Sequence, residues 1–406
     1  MDTGNSTLKG IIHGVIPALL LSMSVGQIYA FTMMANDLAS ATGSSLKTIQ
    51  WAFSLGIFFL GMGAAFFGPL VEKNIKKAAI VGMLLFLYGL AATAFAAYFK
   101  SSIGAILSYG VFLGLGTGIV YISPVKTMML WFKKSKAVAS AIPIVAFGLG
   151  SSLSAWLYAS VFSELDLVKK LLCIAIVYFA MMSVGIFLLK KPLLDEIKDG
   201  IASRNKSDDA LKFSYSKLIF KDFFFQKSWL FMFINISAGL CLIPLSKQLM
   251  QSQTHYAEAL VLGIVAAAGL FNGGGRLVFA GVSDMLEKRK RILVAISLLS
   301  VLGALMMFFA PAIGAVVLLI NACYGAGFAV IPAILSDRYG MDNLSKIHGA
   351  VLSAWGFAGL VGNQAAMAVW TKNGYVALVI LILVMHVVNL ANTVLICKDE
   401  AEVEEQ

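Results

Sequence analysis

Long apolar runs recur along the whole sequence, and each is about the length of a membrane-spanning helix. A transmembrane helix needs about 20 predominantly apolar residues. These runs end at charged residues or at clusters of Gly, Pro and Asn, so the pattern predicts twelve spans. The predicted spans of the first half are 11–34, 49–71, 78–99, 103–131, 137–162 and 169–189. Those of the second half are 228–250, 257–283, 292–311, 313–335, 347–371 and 375–396.

A single long polar stretch, residues 190–227, separates the first six spans from the last six. We interpret it as a solvated linker that ends in an interfacial segment from Phe220 to Trp229. The sequence thus predicts an all-α membrane protein of two six-helix halves, with both termini on one side of the membrane. The predicted parts are an N-terminal half at 1–190, a cytoplasmic linker at 191–227, a C-terminal half at 228–397 and an acidic tail at 398–406.

The composition agrees with a membrane protein, since 59% of the residues are hydrophobic and 13% are charged. Soluble domains have about 25% charged residues, which excludes a soluble enzyme, and long apolar runs are not the alternating pattern of a β-barrel. The net charge is +10, and 24 of the 31 Lys and Arg fall in the termini, the linker and the loops on their side. The positive-inside rule places that side in the cytoplasm, so the charge does not indicate nucleic-acid binding.

Two short motifs occur once in each half. Gly116-Thr-Gly118 in the fourth span is repeated as Gly325-Ala-Gly327 in the tenth, and the loop at 68–77 is echoed at 280–289. Two parallel six-helix halves around a central site are the architecture of a large group of secondary transporters. The repeats therefore support the six-plus-six organisation.

Arg276 is the one charged residue that falls deep inside a predicted span. A charge at mid-depth costs at least about 2.5 kcal/mol, and all 21 acidic residues fall in loops, in the tails or near span ends. We therefore predict that the missing counter-ion is the substrate, because a guanidinium holds a carboxylate by two parallel hydrogen bonds. The alternative is an arginine bonded to backbone carbonyls that the glycines at 273–275 leave open.

Asn272 lies one turn before Arg276 on the same helix face. It could orient the guanidinium or donate to the anion, and a helix–helix hydrogen bond is the alternative. The three glycines between them favour either a bend in the helix or the close approach of another backbone.

The cysteines lie singly in the spans without a C-x-x-C pair, so neither a metal nor a cofactor is predicted. They are Cys173, Cys241, Cys323 and Cys397.

Six segments carry a resemblance to a known family. They are Gly26-Gln-Ile-Tyr-Ala-Phe31, Gly116-Thr-Gly-Ile-Val-Tyr121, Trp131-Phe132 with the basic cluster after it, Phe147-Gly-Leu-Gly150, Phe271-Asn-Gly-Gly-Gly-Arg276 and Ser336-Asp337. With them the sequence resembles the oxalate:formate exchangers and bacterial monocarboxylate carriers of the major facilitator superfamily, along nearly all its spans. The resemblance implies that fold, a monomer in the lipid bilayer of a bacterial cytoplasmic membrane, and a small organic anion as cargo, with or without a proton.

In that family the arginine that matches Arg276 binds a substrate carboxylate. The resemblance further implies an aromatic lining around it. Its members are Tyr29, Tyr121, Phe147, Tyr324 and Phe328. Phe147 stands where the family has tyrosine, and for each of these aromatics ordinary core packing is the alternative.

The eleventh span departs from the exchanger pattern. Where the oxalate exchanger carries a second buried cation, a lysine, the best register puts Trp355. One arginine balances one negative charge, and a second, unpaired carboxylate would be costly to desolvate. We therefore favour a short monocarboxylate such as lactate or pyruvate over oxalate. Lys247, the other candidate cation, lies near the end of its span, where snorkelling explains it.

The sequence leaves the coupling open. Animal proton-linked monocarboxylate carriers have an aspartate at the position of Asn272, so this chain lacks that titrating group. Either the anion binds together with a proton or the protein exchanges one anion for another, and we favour proton symport. Histidines titrate near neutral pH, but His13 and His348 fall near span ends and His386 on a peripheral span, so each is interpreted as a bystander.

Two loops resemble the family's cytoplasmic latch between the halves. The predicted latch residues are Asp284, Glu72, Lys76 and Arg289. Acidic groups near helix ends that pair with basic groups across the halves would bias the inward–outward equilibrium. A topology signal explains the basic residues equally well.

These features predict secondary active transport of small monocarboxylates, coupled to protons, by alternating access around Arg276. The alternative is an anion exchanger of the oxalate:formate type, which includes dicarboxylates among its cargo. A membrane enzyme or sensor is a remote alternative, because the spans contain neither a cluster of metal ligands nor a nucleophile–base pair.

Overall fold

The computed structural model describes residues 3–192, 215–242 and 245–398. Residues 193–214 of the predicted linker and 399–406 of the predicted acidic tail lie outside the described residues. The elements of the described part are helices. Helices suit an apolar environment, because every backbone N–H and C=O within the bilayer must be paired inside the protein.

The first half contains six long helices. They are α1 (Thr7–Thr42), α2 (Leu46–Lys73), α3 (Ile75–Tyr98), α4 (Ser102–Trp131), α5 (Lys133–Val161) and α6 (Leu167–Leu188). Asn74 and Asp166 cap α3 and α6, since each side chain accepts a hydrogen bond from a backbone N–H in the first turn. α1 extends eight residues past the predicted 11–34, because Leu38 and its neighbours continue its buried face.

The second half begins with a short helix, α7 (Tyr215–Lys221). The helices after it are α8 (Phe223–Leu242), α9 (Ser246–Gln253), α10 (Glu258–Met285), α11 (Arg291–Met306), α12 (Ile313–Tyr339) and α13 (Leu344–Lys398). α7 contains only the first residues of the predicted interfacial segment. Trp229 of that segment lies inside α8, which begins five residues before the predicted span because Phe224 and Phe225 are buried.

Nine helices of the described residues are long and apolar enough to cross a membrane, or ten if α8 and α9 form one broken span. α11 has 16 residues and is shorter than these. α13 has 55 residues and is interrupted at Gly374, whose φ of 78° and ψ of −168° are not helical. The predicted spans 347–371 and 375–396 fall on either side of Gly374. The total of twelve spans and the side of the termini stay predictions.

The repeated glycine motifs bring helices into close contact. A Cβ atom at Gly118 of α4 would overlap the carbonyl oxygen of Leu60 on α2, and one at Gly325 of α12 would overlap that of Asn272 on α10. Small residues at such crossings let two backbones meet, and van der Waals packing is a main source of helix association in lipid. The motifs thus hold α2 against α4 and α10 against α12.

The halves meet at the end of the molecule that carries residue 190 and the start of α7, here called the linker end. α2 packs along α13, and α5 packs against α10 and α12. Towards the opposite end the second half has a hydrophobic cluster of its own, which includes Cys241, Val261 and Ile382. The described structure is closed at the linker end, where Glu72 and Asp284 each contact the opposite half.

Candidate substrate site

Arg276 lies in the middle of α10, at the interface between the two halves. Its side chain is 5% exposed. Gly275 packs against the backbone of Ala322 on α12, and a Cβ at Gly325 would lie 3.1 Å from Cγ of Arg276. α10 stays helical through its three glycines. Of the two roles that the sequence left open, Gly275 therefore serves the close approach of a neighbouring helix, whereas a Cβ at Gly273 or Gly274 would have nothing within 4 Å.

The guanidinium of Arg276 has few partners. Its Nη1 donates a hydrogen bond to the carbonyl oxygen of Ile144 on α5, in the first half, while its Nε is buried without a partner. The ion pairs found among the described residues involve other cations. Lys247 is exposed and lies 3.7 Å from a carboxylate oxygen of Glu258. Arg276 is thus a buried cation without a counter-ion in the described chain, an arrangement that is costly unless an anion joins it.

Six aromatic side chains form one cluster beside Arg276, here called the aromatic cluster. Its members are Tyr29, Tyr121, Phe147, Tyr324, Phe328 and Trp355. The Trp355 ring is central: its centroid lies 4.7 Å from that of Phe328, 5.6 Å from that of Tyr121 and 5.8 Å from that of Phe147. Cζ of Arg276 lies 5.8 Å from the Phe328 centroid. The structure therefore brings together every aromatic residue that the sequence placed at the site.

Three tyrosines of the aromatic cluster lie within electrostatic range of Arg276. They are Tyr29, Tyr121 and Tyr324. The Tyr121 hydroxyl is buried with no partner. A buried hydroxyl without a partner costs about 1–3 kcal/mol. The site thus combines an uncompensated cation with an unsatisfied hydroxyl, and one carboxylate would satisfy both.

Asn272 is half-buried, one turn from Arg276 on α10. Its backbone carbonyl packs against Gly325, which fixes this part of α10 against α12. No Asp or Glu is among the buried residues of the described chain. The site therefore lacks a carboxylate that could neutralise Arg276 or carry a proton.

At the linker end, Asp284 of α10 joins the two halves. Its carboxylate oxygens accept hydrogen bonds from the backbone N–H groups of Ala137, at 3.0 Å, and Val138, at 2.9 Å, near the start of α5. Asp284 also pairs with Arg289 at 2.8 Å, and Arg289 in turn pairs with Asp337. A carboxylate at a helix N-terminus satisfies free N–H groups and opposes the helix dipole.

Glu72 of α2 makes the corresponding contact from the first half to the second. It accepts a hydrogen bond from the backbone N–H of Ser345 at the start of α13, and it pairs with Lys126 of its own half. Lys76 donates to the carbonyl oxygen of Phe187 in the first half. Lys76 therefore does not join the halves in this structure, although the sequence grouped it with the latch.

His348 lies beside the site, where the sequence expected a bystander near a span end. It is 2% exposed, and its ring centroid lies 6.5 Å from that of Tyr121. α2 covers this part of α13, because Gly349 packs against the backbone of Ala64. The residue pattern could not show this, since the cover over His348 comes from the opposite half of the protein.

Two helical halves that close at one end around a buried, unpaired arginine define a secondary transporter. A model of the Major Facilitator Superfamily matches residues 16–363. The chain belongs to the Major Facilitator Superfamily. It is a multi-pass integral membrane protein and a transporter, not an enzyme.

Relatives along most of the chain are transporters. The oxalate:formate antiporter of Oxalobacter formigenes is 25% identical over 404 residues, which cover 92% of this chain and 89% of that protein. YhjX of Escherichia coli strain K12, an uncharacterized MFS-type transporter, is 22% identical over 85% of both chains. Among solved structures, the transporter FucP in the outward conformation has a TM-score of 0.67 at 16% identity and covers 94% of this chain and 97% of its own. The human organic anion transporter MFSD10 has a TM-score of 0.68 at 14% identity, with coverages of 93% and 98%.

Proposed function

We propose that this protein is a secondary active transporter of small monocarboxylates, such as lactate or pyruvate, driven by a co-transported proton. The observation that carries the proposal is Arg276, a buried cation at the interface of the halves with no carboxylate partner in the described chain. A single carboxylate would pair with the free edge of the guanidinium and accept a hydrogen bond from Tyr121. Because Arg276 belongs to the second half and Tyr121 to the first, the anion would contact both halves at once.

The lining favours a cargo with one negative charge and a short apolar part. Phe328 and Trp355 present aromatic rings beside the guanidinium, and a second carboxylate placed among them would be desolvated without a partner. The other buried cations of the described chain are Lys126, Lys170 and Lys290. Lys126 is paired with Glu72 at the linker end, Lys170 lies over the Tyr158 ring, and Lys290 lies over the Phe224 ring.

Alternating access follows from the contacts between the halves. With the linker end in the cytoplasm, the described state is closed to the cytoplasm, and an anion enters from the outside. The Arg276–Ile144 hydrogen bond is a contact between the halves, and a bound carboxylate competes with Ile144 for the guanidinium. Cargo binding thereby replaces one contact between the halves with another. A ligand can shift the equilibrium between two states only if it interacts differently with each of them, and this replacement provides such a difference.

The test is uptake of labelled lactate, formate and oxalate into proteoliposomes, with and without an imposed proton gradient. Arg276→Gln is expected to lower lactate uptake at least about 100-fold, because removing one partner of a buried charged pair costs about 3–5 kcal/mol. Lys247→Gln is the matched control, since that exposed cation pairs outside the site, and it should transport normally. Unchanged uptake by a folded Arg276→Gln protein would remove Arg276 from the site.

The second candidate function is anion exchange of the oxalate:formate type. It is favoured by the similarity to the Oxalobacter formigenes antiporter along 92% of this chain. Saturable oxalate exchange against internal formate, insensitive to the proton gradient, would establish exchange and overturn monocarboxylate symport. Lactate uptake that accelerates with an inward proton gradient would support monocarboxylate symport and exclude pure exchange.

A further inference from the structure

His348 lies on the stripe of α13 that joins the substrate site to the linker end. Ser345, His348 and Trp355 are separated by three and seven residues, so they share one helix face. The backbone N–H of Ser345 donates a hydrogen bond to the Glu72 carboxylate, and Trp355 is the centre of the aromatic cluster. His348 stands between them, against the Tyr121 ring. It is the one imidazole of the described chain that contacts the cluster.

The surroundings of His348 contain hydroxyl and aromatic groups, and the largely buried carboxylate of Glu72, held one turn away at Ser345, is already paired with Lys126. The titratable and charged groups on the elements packed against this part of α13 are Glu72 on α2, Tyr121 and Lys126 on α4, Tyr324 on α12, Lys227 on α8, and Lys346 on α13 itself. A neutral ring fits this position between the halves, whereas an imidazolium there would be a second buried cation without an anion.

We propose that His348 takes up the co-transported proton and couples it to the opening of the linker end; this inference rests on the proposed symport. The proton leaves either the carboxylic acid O–H of the cargo, which becomes the carboxylate, or a hydronium ion that accompanies the anion, which becomes water. It binds the nitrogen lone pair of the neutral imidazole. The carboxylate that remains pairs with Arg276. Asn272 cannot accept this proton, which leaves His348 as the titratable base that contacts the aromatic cluster within the described chain.

The added charge acts on the contact between the halves. An imidazolium held between α2 and α13 has no free carboxylate to pair with, because Glu72 is bound by Ser345 and Lys126, so water must reach the ring before the charge is tolerated. Parting of α2 and α13 at the linker end admits that water, and the proton then leaves on the same side as the cargo. Once neutral, His348 fits the closed interface again. Protonation thus favours the state that is open at the linker end.

The first test measures conformation without any cargo. Spin labels at Ser135 and Arg291, which are exposed in opposite halves at the linker end, report its opening in a background without the four native cysteines. Between about pH 8 and pH 5, the range in which histidine titrates, the population with long distances is expected to rise. His348→Gln should abolish this rise. His386→Gln is the matched control, because His386 is equally buried on the same element and both its ring nitrogens lack partners; it should leave the rise intact.

A rise that persists in His348→Gln, or no rise in the unsubstituted protein, overturns the proposal. The second test uses proteoliposomes: His348→Gln should lose proton-driven net lactate uptake by at least about tenfold and keep lactate–lactate exchange, which needs no net proton movement. Loss of both activities in His348→Gln and His348→Asn alike would show a structural role and reject coupling. Because the distance measurement needs no cargo, it stands even if lactate is not transported and the proposed function fails.

Discussion

At the scale of single residues, the charge of the site turns on Trp355. The sequence resemblance puts this residue where the exchangers carry a lysine, and it is 2% exposed at the centre of the aromatic cluster. We expect Trp355→Lys to lower lactate uptake at least about tenfold and to make oxalate uptake measurable, because a second cation offsets the desolvation of a second carboxylate. Uptake of both labelled anions in proteoliposomes is the measurement.

Trp355→Leu is the control for that substitution. It removes the same ring without adding a charge, so it should weaken lactate uptake and give no oxalate uptake. Equal oxalate uptake by the lysine and leucine variants would show that space, and not charge, excludes the dicarboxylate.

Single residues were predicted best where the sequence offered a physical anomaly. A charged residue inside an apolar run stands out in the sequence, and Arg276 is indeed buried at the interface of the halves. The aromatic residues came from family resemblance, and the structure gathers them around Trp355. His348 was judged by its distance from the end of its own span, which says nothing about a helix from the other half that covers it. The partner of the guanidinium, the Ile144 carbonyl, is backbone and leaves no trace in the sequence.

At the scale of helices, close approach of α2 and α4 depends on Gly118. We expect Gly118→Ala to destabilise the protein by about 1–3 kcal/mol, the usual cost of forcing extra atoms into a packed interior, because the new Cβ would overlap the Leu60 carbonyl oxygen. Thermal unfolding of the purified protein in detergent measures the change.

Gly263→Ala is the matched control, since Gly263 is also helical but a Cβ there would have nothing within 4 Å. Alanine has the higher helix propensity, so this variant should be as stable as the unsubstituted protein or slightly more so. Equal destabilisation by both variants would contradict the packing role of Gly118.

The helices themselves follow from long apolar runs, and their ends follow less well. α1 continues to Thr42 and α8 starts at Phe223 because buried contacts, and not hydropathy alone, decide where a helix stops. The predicted break between residues 371 and 375 coincides with Gly374, but α13 continues on both sides of this single non-helical residue. Tertiary packing determines where helices end and break, and the hydropathy of the sequence does not report it.

At the scale of the whole molecule, Asp284 stabilises the state closed at the linker end. Asp284→Asn removes the charge that opposes the dipole of α5 and pairs with Arg289. We expect a loss of about 1–2 kcal/mol from the closed state, a shift of roughly 5- to 30-fold towards the open one. The spin-label pair at Ser135 and Arg291 measures it at constant pH.

The control for Asp284→Asn is Asp166→Asn. Asp166 is an exposed acid at the opposite end that pairs with Lys169 in its own helix, so its loss should not change the distances. An Asp284→Asn protein with the distance distribution of the unsubstituted chain would exclude a latch at this residue.

The organisation in two halves could be predicted because each half repeats the same motifs. Which end of the protein is closed could not, because closure depends on contacts between residues far apart in sequence.

The two contacts at the linker end have a kinetic consequence. Glu72 holds the start of α13 and Asp284 holds the start of α5, and each carboxylate belongs to the half opposite the helix that it holds. A rotation of the halves therefore breaks both contacts in one step, and their strengths add in the activation barrier. The Lys136–Asp337 ion pair also joins the halves at this end. Part of the barrier thus lies far from the cargo, so substitutions of these acidic residues should change the maximal rate of transport while the affinity for the anion stays the same.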